Sequence, residues 1–287
     1  MTKLVASLVT AVLCISGAFA AVTAFTQADN RTGPCTIAQR PTDLSGIPEA
    51  SGLTLSRRSP GLLWTHNDSG TPTLFAVGTS GVQSRVAVPS AMVEDWEDVS
   101  AASCPSGDCL YIADIGDNKR SRSHVTIYRV PEPQPDARQS AAPEVFTLTY
   151  PDGPHDAEAL FVVPAGVFLI TKDTAGALYR APQPLPPRGE IPLQRAGSLG
   201  LPRVTDADAS PDGSLVAVRT NDELVFYRTA ELTTGGAVPR GVRVSLKGLK
   251  EPQGEGVAVG PNGNVYLASE GSKGAGKLTS LHCTLSR

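Results

Sequence analysis

The chain has 287 residues, 40% hydrophobic and 18% charged, with 28 Gly, 24 Pro and a formal net charge of -3. That balance argues against disorder and allows one large all-β domain or two small ones, with Gly and Pro enough for many tight turns. No basic surplus and an aromatic content of only 5% argue against a nucleic-acid partner, which needs a cationic footprint and stacking platforms.

The N-terminus reads as an export signal, residues 1–20. Lys3 supplies the positive start, residues 4–19 are apolar, and Ala18-Phe19-Ala20 ends in an A-x-A cleavage pattern, with a second candidate cut after Ala28. The alternative is an uncleaved anchor. Leu13 stands where a lipidation signal needs a small residue, so Cys14 is not read as a lipid site. No later run is long and apolar enough to span a bilayer. The expectation is a secreted or cell-envelope monomer whose mature domain covers residues 35–287. Four cysteines remain after cleavage, and an even number in an exported chain reads as disulfides. Cys104 and Cys109 bracket the turn sequence Pro105-Ser106-Gly107-Asp108, so they pair locally, which leaves Cys35 for Cys283. Metal ligation is the alternative, but no CxxC and no nearby His supports it.

Residues 36–45 are a short stretch ahead of the first of five related segments. These are Glu49-Ala50-Ser51-Gly52-Leu53, Asp95-Trp96-Glu97-Asp98-Val99, Asp156-Ala157-Glu158-Ala159-Leu160, Asp206-Ala207-Asp208-Ala209 and Gln253-Gly254-Glu255-Gly256-Val257. Each is a polar-x-polar pair, usually acidic, running into a short apolar segment. In a strand, residues two apart share a face. A spacing of about 46–61 residues is the period of a propeller or solenoid. Each copy is followed by a turn of matching kind: Ser59-Pro60-Gly61, Pro105-Ser106-Gly107, Pro164-Ala165-Gly166, Pro211-Asp212-Gly213 and Pro261-Asn262-Gly263. Second strands are expected at 62–65, 110–113, 167–171, 215–218 and 265–268, and third strands at 73–77, 125–130, 177–180, 224–228 and 277–281. A fourth follows in four repeats, at 83–88, 144–150, 193–199 and 242–246. The Pro-rich stretches 131–143 and 182–192 read as insertions on the outer rim.

Four strands per repeat is a propeller blade, so the chain is read as an all-β, five-bladed β-propeller. The fifth repeat runs out after its third strand. Residues 36–45 can supply the missing one, which brings Cys35 beside Cys283 and leaves no open edge.

In a propeller the first strands line the central channel, which gathers Glu49, Asp95, Glu97, Asp156, Glu158, Asp206, Asp208 and Glu255 into a ring. So many carboxylates around one axis either raise their pKa values or share a cation. Ca²⁺ is the natural one, being a hard ion that takes oxygen ligands. The competing reading is that these acids bond to backbone N–H groups between blades. The ends of the second strands carry His66-Asn67-Asp68, residues 114–118, Lys172-Asp173, residues 219–221 and Ser269-Glu270. Around the same mouth, His66 is a candidate general base, while Lys172 and Arg219 are candidate anion clamps or plain salt-bridge partners of the ring acids. No G-x-S-x-G or zinc-ligand spacing is present, and Gly271-Ser272-Lys273-Gly274-Ala275-Gly276-Lys277 joins two strands, so it is a hairpin and not a phosphate loop.

The segments 48–53, Trp64-Thr65-His66-Asn67-Asp68-Ser69-Gly70 and Gln253-Gly254-Glu255-Gly256-Val257 resemble secreted bacterial propellers of the phytase-like esterase group. More distantly the chain is similar to gluconolactonase, regucalcin and paraoxonase propellers. The resemblance implies a mouth in which Glu, Asp and Asn hold Ca²⁺, and the metal polarises a phosphate ester, carboxylic ester or lactone. Glu49 and Glu255 match the first-strand Glu of such families, and Asn67 and Asp68 match their mouth ligands. The paired Asn ligands of the middle blades are missing, and those families usually have six blades. Two functions are therefore expected. One is a calcium-dependent hydrolase with Glu49, Asn67, Asp68, Glu97, Glu158 and Glu255 around the metal, His66 as base, and Lys172 and Arg219 on a small ester or phosphorylated substrate. The other is a non-catalytic propeller that binds an extracellular protein, glycan or cell-envelope ligand.

Overall fold

The computed structural model describes residues 34–234, 238–271 and 274–284. The export signal and its cleavage sites lie outside these residues. The strands form five sheets. Blade 1 runs β2 (Ala50–Leu55), β3 (Leu63–Asn67), β4 (Thr73–Gly78) and β5 (Gly81–Ala87) from axis to rim. Blade 2 is β6 (Trp96–Cys104), β7 (Gly107–Asp114), β8 (Val125–Pro131) and β9 (Glu144–Thr149). Blade 3 is β10 (Ala157–Val163), β11 (Gly166–Thr171), β12 (Ala177–Ala181) and β14 (Gln194–Ser198). Blade 4 is β15 (Val204–Ala209), β16 (Leu215–Thr220), β17 (Glu223–Arg228) and β18 (Val242–Ser245). Blade 5 takes β19 (Gly254–Val259), β20 (Asn264–Ser269) and β21 (Ala275–Cys283), with β1 (Cys35–Ser45) as its outermost strand.

The β1–β21 ladder closes the ring as expected. Its register sets Cys35 opposite Cys283, and these two are disulfide-bonded, as are Cys104 and Cys109. The hairpin turns behave as their sequences require. Gly107 and Gly213 hold φ of 112° and 68°, a region that an L side chain resists.

Buried residues form five apolar clusters, and each lies between two neighbouring blades. Blades 1 and 2 meet through Trp64, Val86, Trp96 and Ile112, and blades 3 and 4 through Phe161, Phe168, Val216 and Val218. Each sheet is therefore covered on both faces, which explains why β10 and β11 read as continuous apolar runs rather than alternating ones. Two features were not expected. The 182–192 insertion of blade 3 contributes β13 (Glu190–Pro192), which pairs in parallel with β9 and gives blade 2 a fifth strand. A short helix, α1 (Thr229–Thr233), follows β17 and buries Leu232. Among the described residues no helix is long and apolar enough to cross a membrane.

Candidate functional site

Every innermost strand pairs with its neighbour through a break in register. The breaks fall between Ala50 and Leu53, Trp96 and Asp98, Ala157 and Ala159, Val204 and Asp206, and Gly254 and Val257. A bulge interrupts the strict alternation of side chains and re-aims the residue it carries. The residues within these breaks include Ser51, Glu97, Glu158, Thr205 and Glu255, so one sequence position in each blade is turned by the same device. Four of them, all but Thr205, line a cavity of about 210 Å³ at the propeller mouth.

Blade 1 adds Glu49 and Asp68 to the lining, and blade 2 adds Asp95 and Asn118. Lys172 comes from blade 3, and Gln253 and Glu270 from blade 5. Among the described residues the lining holds seven carboxyl groups against one ammonium, with no His and no Cys. Blade 4 contributes none of it.

This charge imbalance is met partly by protons and partly by pairing. Lys172 Nζ donates to Glu158 Oε1 at 2.6 Å, and Gln253 Nε2 donates to Glu255 Oε1 at 2.6 Å and Glu270 Oε1 at 3.0 Å. Ser69 Oγ donates to Glu49 Oε2 at 2.6 Å. Burial raises the Glu158 carboxyl to about 8 even though Lys172 pulls it down. Burial, then the neighbouring Glu49, raises Asp68 to about 7. Burial pushes Glu97 well above the usual carboxylate range, and Glu158 and Asp95 add to the push. Glu97 is only 7% exposed, and among the described residues its carboxyl has no hydrogen-bond partner. Ser51 Oγ donates to its backbone carbonyl at 2.7 Å, which fixes the strand and leaves the carboxyl unpartnered.

The structure brings together most of the residues expected at the mouth and removes others. Glu49, Asp68, Glu97, Glu158, Glu255 and Lys172 are on the cavity wall. Asn67 is not; its Oδ1 accepts the Glu49 backbone N–H at 3.2 Å and so braces the loop. His66 does not face the acids either. It is fully buried edge-on against Trp96, with ring centroids 5.7 Å apart. Burial lowers its pKa to about 4, partly opposed by hydrogen bonds to the Asn67 and Asp98 backbone. Arg219 is also fully buried. Its Nη1 donates to the Gly256 and Ala268 carbonyls at 2.7 Å each, and its Nη2 pairs with Glu251, which is not a ring acid.

Asp206 and Asp208 are absent from the wall because their pair begins one residue after the bulge, whereas the pairs of blades 2 and 3 end on it. Thr205 occupies the position of Glu97 and Glu158, so the blade 4 acids point into the interior instead. There Asp206 accepts the backbone N–H groups of Leu53 and Val257, and Asp208 accepts Val259 N–H at 2.8 Å and Thr54 Oγ1 at 3.2 Å. Asp156 accepts Asp117 N–H at 2.9 Å. For these three acids, bonding to the backbone of other blades is what the structure contains. The wall residues Asp95, Asn118, Gln253 and Glu270 were visible in the sequence as members of the ring or of the second-strand ends. Ser51 was visible as the polar partner of Glu49.

No family model and no curated protein sequence matches this chain. Solved structures do. The allergen Mala s 1 of Malassezia sympodialis superposes with a TM-score of 0.56 at 9% identity, over 85% of this chain and 96% of that one. The PQQ-bound aldose sugar dehydrogenase of Streptomyces coelicolor gives 0.51 at 11% identity, over 87% and 98%. A glucose dehydrogenase gives 0.51 at 12% identity, over 86% and 100%. At such identities the likeness establishes the β-propeller fold alone.

Proposed function

We propose that the mouth of this propeller is a cation site serving hydrolysis of a small carboxylic ester, phosphate ester or lactone, as in the phytase-like esterase group it resembles. The observation that carries the reading is Glu97, a nearly buried carboxyl with no hydrogen-bond partner among the described residues that opens into the acidic cavity. A buried carboxylate is costly unless a cation or donors meet it. The donors present are all hard oxygens and amides, which suit Ca²⁺ and not a soft metal. Among the described residues no three His, Cys, Asp or Glu side chains are already drawn together as a metal cage, so binding requires the carboxylates to close in. Glu97, Glu158 and Glu255 are the residues that would hold the ion, with Glu49 beside them.

A bound Ca²⁺ would supply polarisation of the substrate carbonyl or phosphoryl oxygen. The chain's own groups divide the remaining work. Asp68, with an unpaired Oδ1 on the cavity wall, suits the acceptance of a proton from water, the part that buried His66 cannot take. Asn118 presents an amide group that would orient a substrate oxygen, whereas both N–H groups of Gln253 are taken by Glu255 and Glu270. Export to an oxidising compartment agrees with the two disulfides.

The test is the metal content of the purified mature chain, its melting temperature before and after chelation, and turnover of ester, phosphoester and lactone substrates with and without Ca²⁺. Stoichiometric calcium, a chelation-sensitive melt and Ca²⁺-dependent turnover are expected. A melt indifferent to Ca²⁺ together with no turnover would remove the hydrolase reading. The second reading, a non-catalytic binding propeller for a protein, glycan or cell-envelope ligand, is favoured by one observation. Among the described lining residues Ser51 carries the one hydroxyl, and that hydroxyl is committed to the Glu97 carbonyl.

A further inference from the structure

The cation already present in the mouth belongs to the chain. Lys172 stands at the end of β11, held there by its backbone N–H on the Asp156 carbonyl at 2.9 Å, and its ammonium reaches over the acids. It meets Glu158 at 2.6 Å, and Glu255 and Glu97 also act on it. An ammonium carries three donors. Lys172 uses one of them within the chain, and its side chain remains 32% exposed. It is therefore paired without being locked, on a flexible four-carbon stem that can swing away. Glu158, by contrast, is buried, and among the described residues Lys172 is its one side-chain hydrogen-bonding partner.

Resting on the reading of the mouth as a cation site, we propose that Lys172 is its resident occupant: a tethered ammonium in the seat that a divalent ion would take on Glu158. Two cations cannot share that carboxylate in a partly buried cavity without repulsion of several times the thermal energy. An incoming Ca²⁺ must expel the lysine to solvent, so the strength of the Lys172–Glu158 pair is subtracted from the affinity for metal. Lys172 is thus the residue that sets metal affinity, and it does so through competition and not through ligation. The same exchange explains how the mouth persists without metal: one ammonium and several protons neutralise what a divalent ion would otherwise neutralise. It also follows that the anion clamp expected of Lys172 and the metal seat are alternatives in time. The ammonium is free for a substrate anion only once Ca²⁺ has displaced it from Glu158.

The test is calorimetric titration of CaCl₂ into the full mature chain and into Lys172→Met, which keeps the stem and removes the charge. The variant is expected to bind Ca²⁺ about tenfold or more tighter than the parent. Equal or weaker binding by the variant, or no binding by either protein, would overturn the proposal. Binding by the variant alone would support it while removing the calcium-dependent reading of the natural chain, so the two can fail separately. If Lys172→Met does not fold, acetylation of Lys172 in the parent chain, followed by mass spectrometry with and without saturating Ca²⁺, decides instead. Faster acetylation in Ca²⁺ supports displacement, and an unchanged or slower rate overturns it.

Discussion

Asp98 of blade 2 and Asp206 of blade 4 hydrogen-bond to each other across the propeller axis, and both are fully buried. Two carboxyls in contact share a proton, because two anions in a dry interior would repel strongly. Asp206 accepts backbone N–H groups from Leu53, Ala207 and Val257, whereas Asp98 accepts from Val99 and from Leu160, the latter at 2.6 Å. More N–H donors favour the anion on Asp206, so Asp98 carries the proton and donates it. Burial lifts both carboxyls, Asp206 to about 7 and Asp98 well above its ordinary range. The pair joins blade 2 to blade 3 and blade 4 to blades 1 and 5. Replacing each with Asn should therefore be unequal. Asp98→Asn keeps a donor toward Asp206 and should cost about 1 kcal/mol. Asp206→Asn sets an NH₂ against backbone N–H groups and should cost about 3 kcal/mol or more. Urea unfolding at neutral pH measures both, and equal losses would place the proton elsewhere.

His66 makes stability depend on pH in a separable way. Its folded pKa of about 4 lies below the ordinary value of 6.5, so between these values the unfolded chain binds more protons. Stability from this group is thus complete above pH 6.5, falls as the solution is acidified, and is fully lost below about pH 4. The linkage amounts to about 3 kcal/mol. The raised carboxyls act with the opposite sign, since Glu158 at about 8 and Asp206 at about 7 make the folded chain the better proton acceptor over their own range. The whole-protein curve therefore mixes both trends. The difference between the parent and His66→Gln should isolate the histidine, narrowing progressively from pH 6.5 to pH 4.

The recurring polar-x-polar pairs and the turn after each one made the five-bladed ring and its closure by residues 36–45 legible, because both follow from periodicity. The depth of each acid was not legible. Asp206-Ala207-Asp208 has the same spacing as Asp156-Ala157-Glu158, yet the bulge falls at Thr205 in one blade and at Glu158 in the other. Whether the bulge falls just before the pair or on its last member decides whether a carboxyl faces the interior or the mouth, and a short motif does not record where its strand breaks register. His66 misled for a related reason. It lies on β3, a strand buried along most of its length, so polarity alone did not place it at the rim.

Gly52 marks how closely the inner strands approach. A Cβ there would fall 2.5 Å from Asp98 Cα and Val99 N, both backbone atoms of the next blade. Gly52→Ala should cost about 3 kcal/mol through overpacking at the axis. Gly61 is the control: its φ of 82° strains an alanine, but nothing lies within 4 Å of the added methyl, so Gly61→Ala should cost about 1 kcal/mol. Thermal melts of the two variants should fall in that order, and a reversed order would mean that the axis yields more readily than the turn.

The two disulfides should differ in worth because they close loops of very different length. Cys35 and Cys283 are 248 residues apart, whereas Cys104 and Cys109 are 5 apart. The entropy removed from the unfolded chain then corresponds to about 5 kcal/mol for the first and about 2 kcal/mol for the second. Ser replacement of each pair, compared by urea unfolding, should show the larger loss at Cys35–Cys283. The β1–β21 ladder bears on the outcome. It pairs eight positions from Cys35↔Cys283 to Ser45↔Ala275, and among the described residues blade 5 has no other fourth strand. If the Cys35→Ser/Cys283→Ser chain unfolds in one transition at lower urea, the ladder survives without the covalent link and only the unfolded state has changed. If an early transition exposes β21 while the remaining blades stay folded, the disulfide is what keeps β1 in the ring.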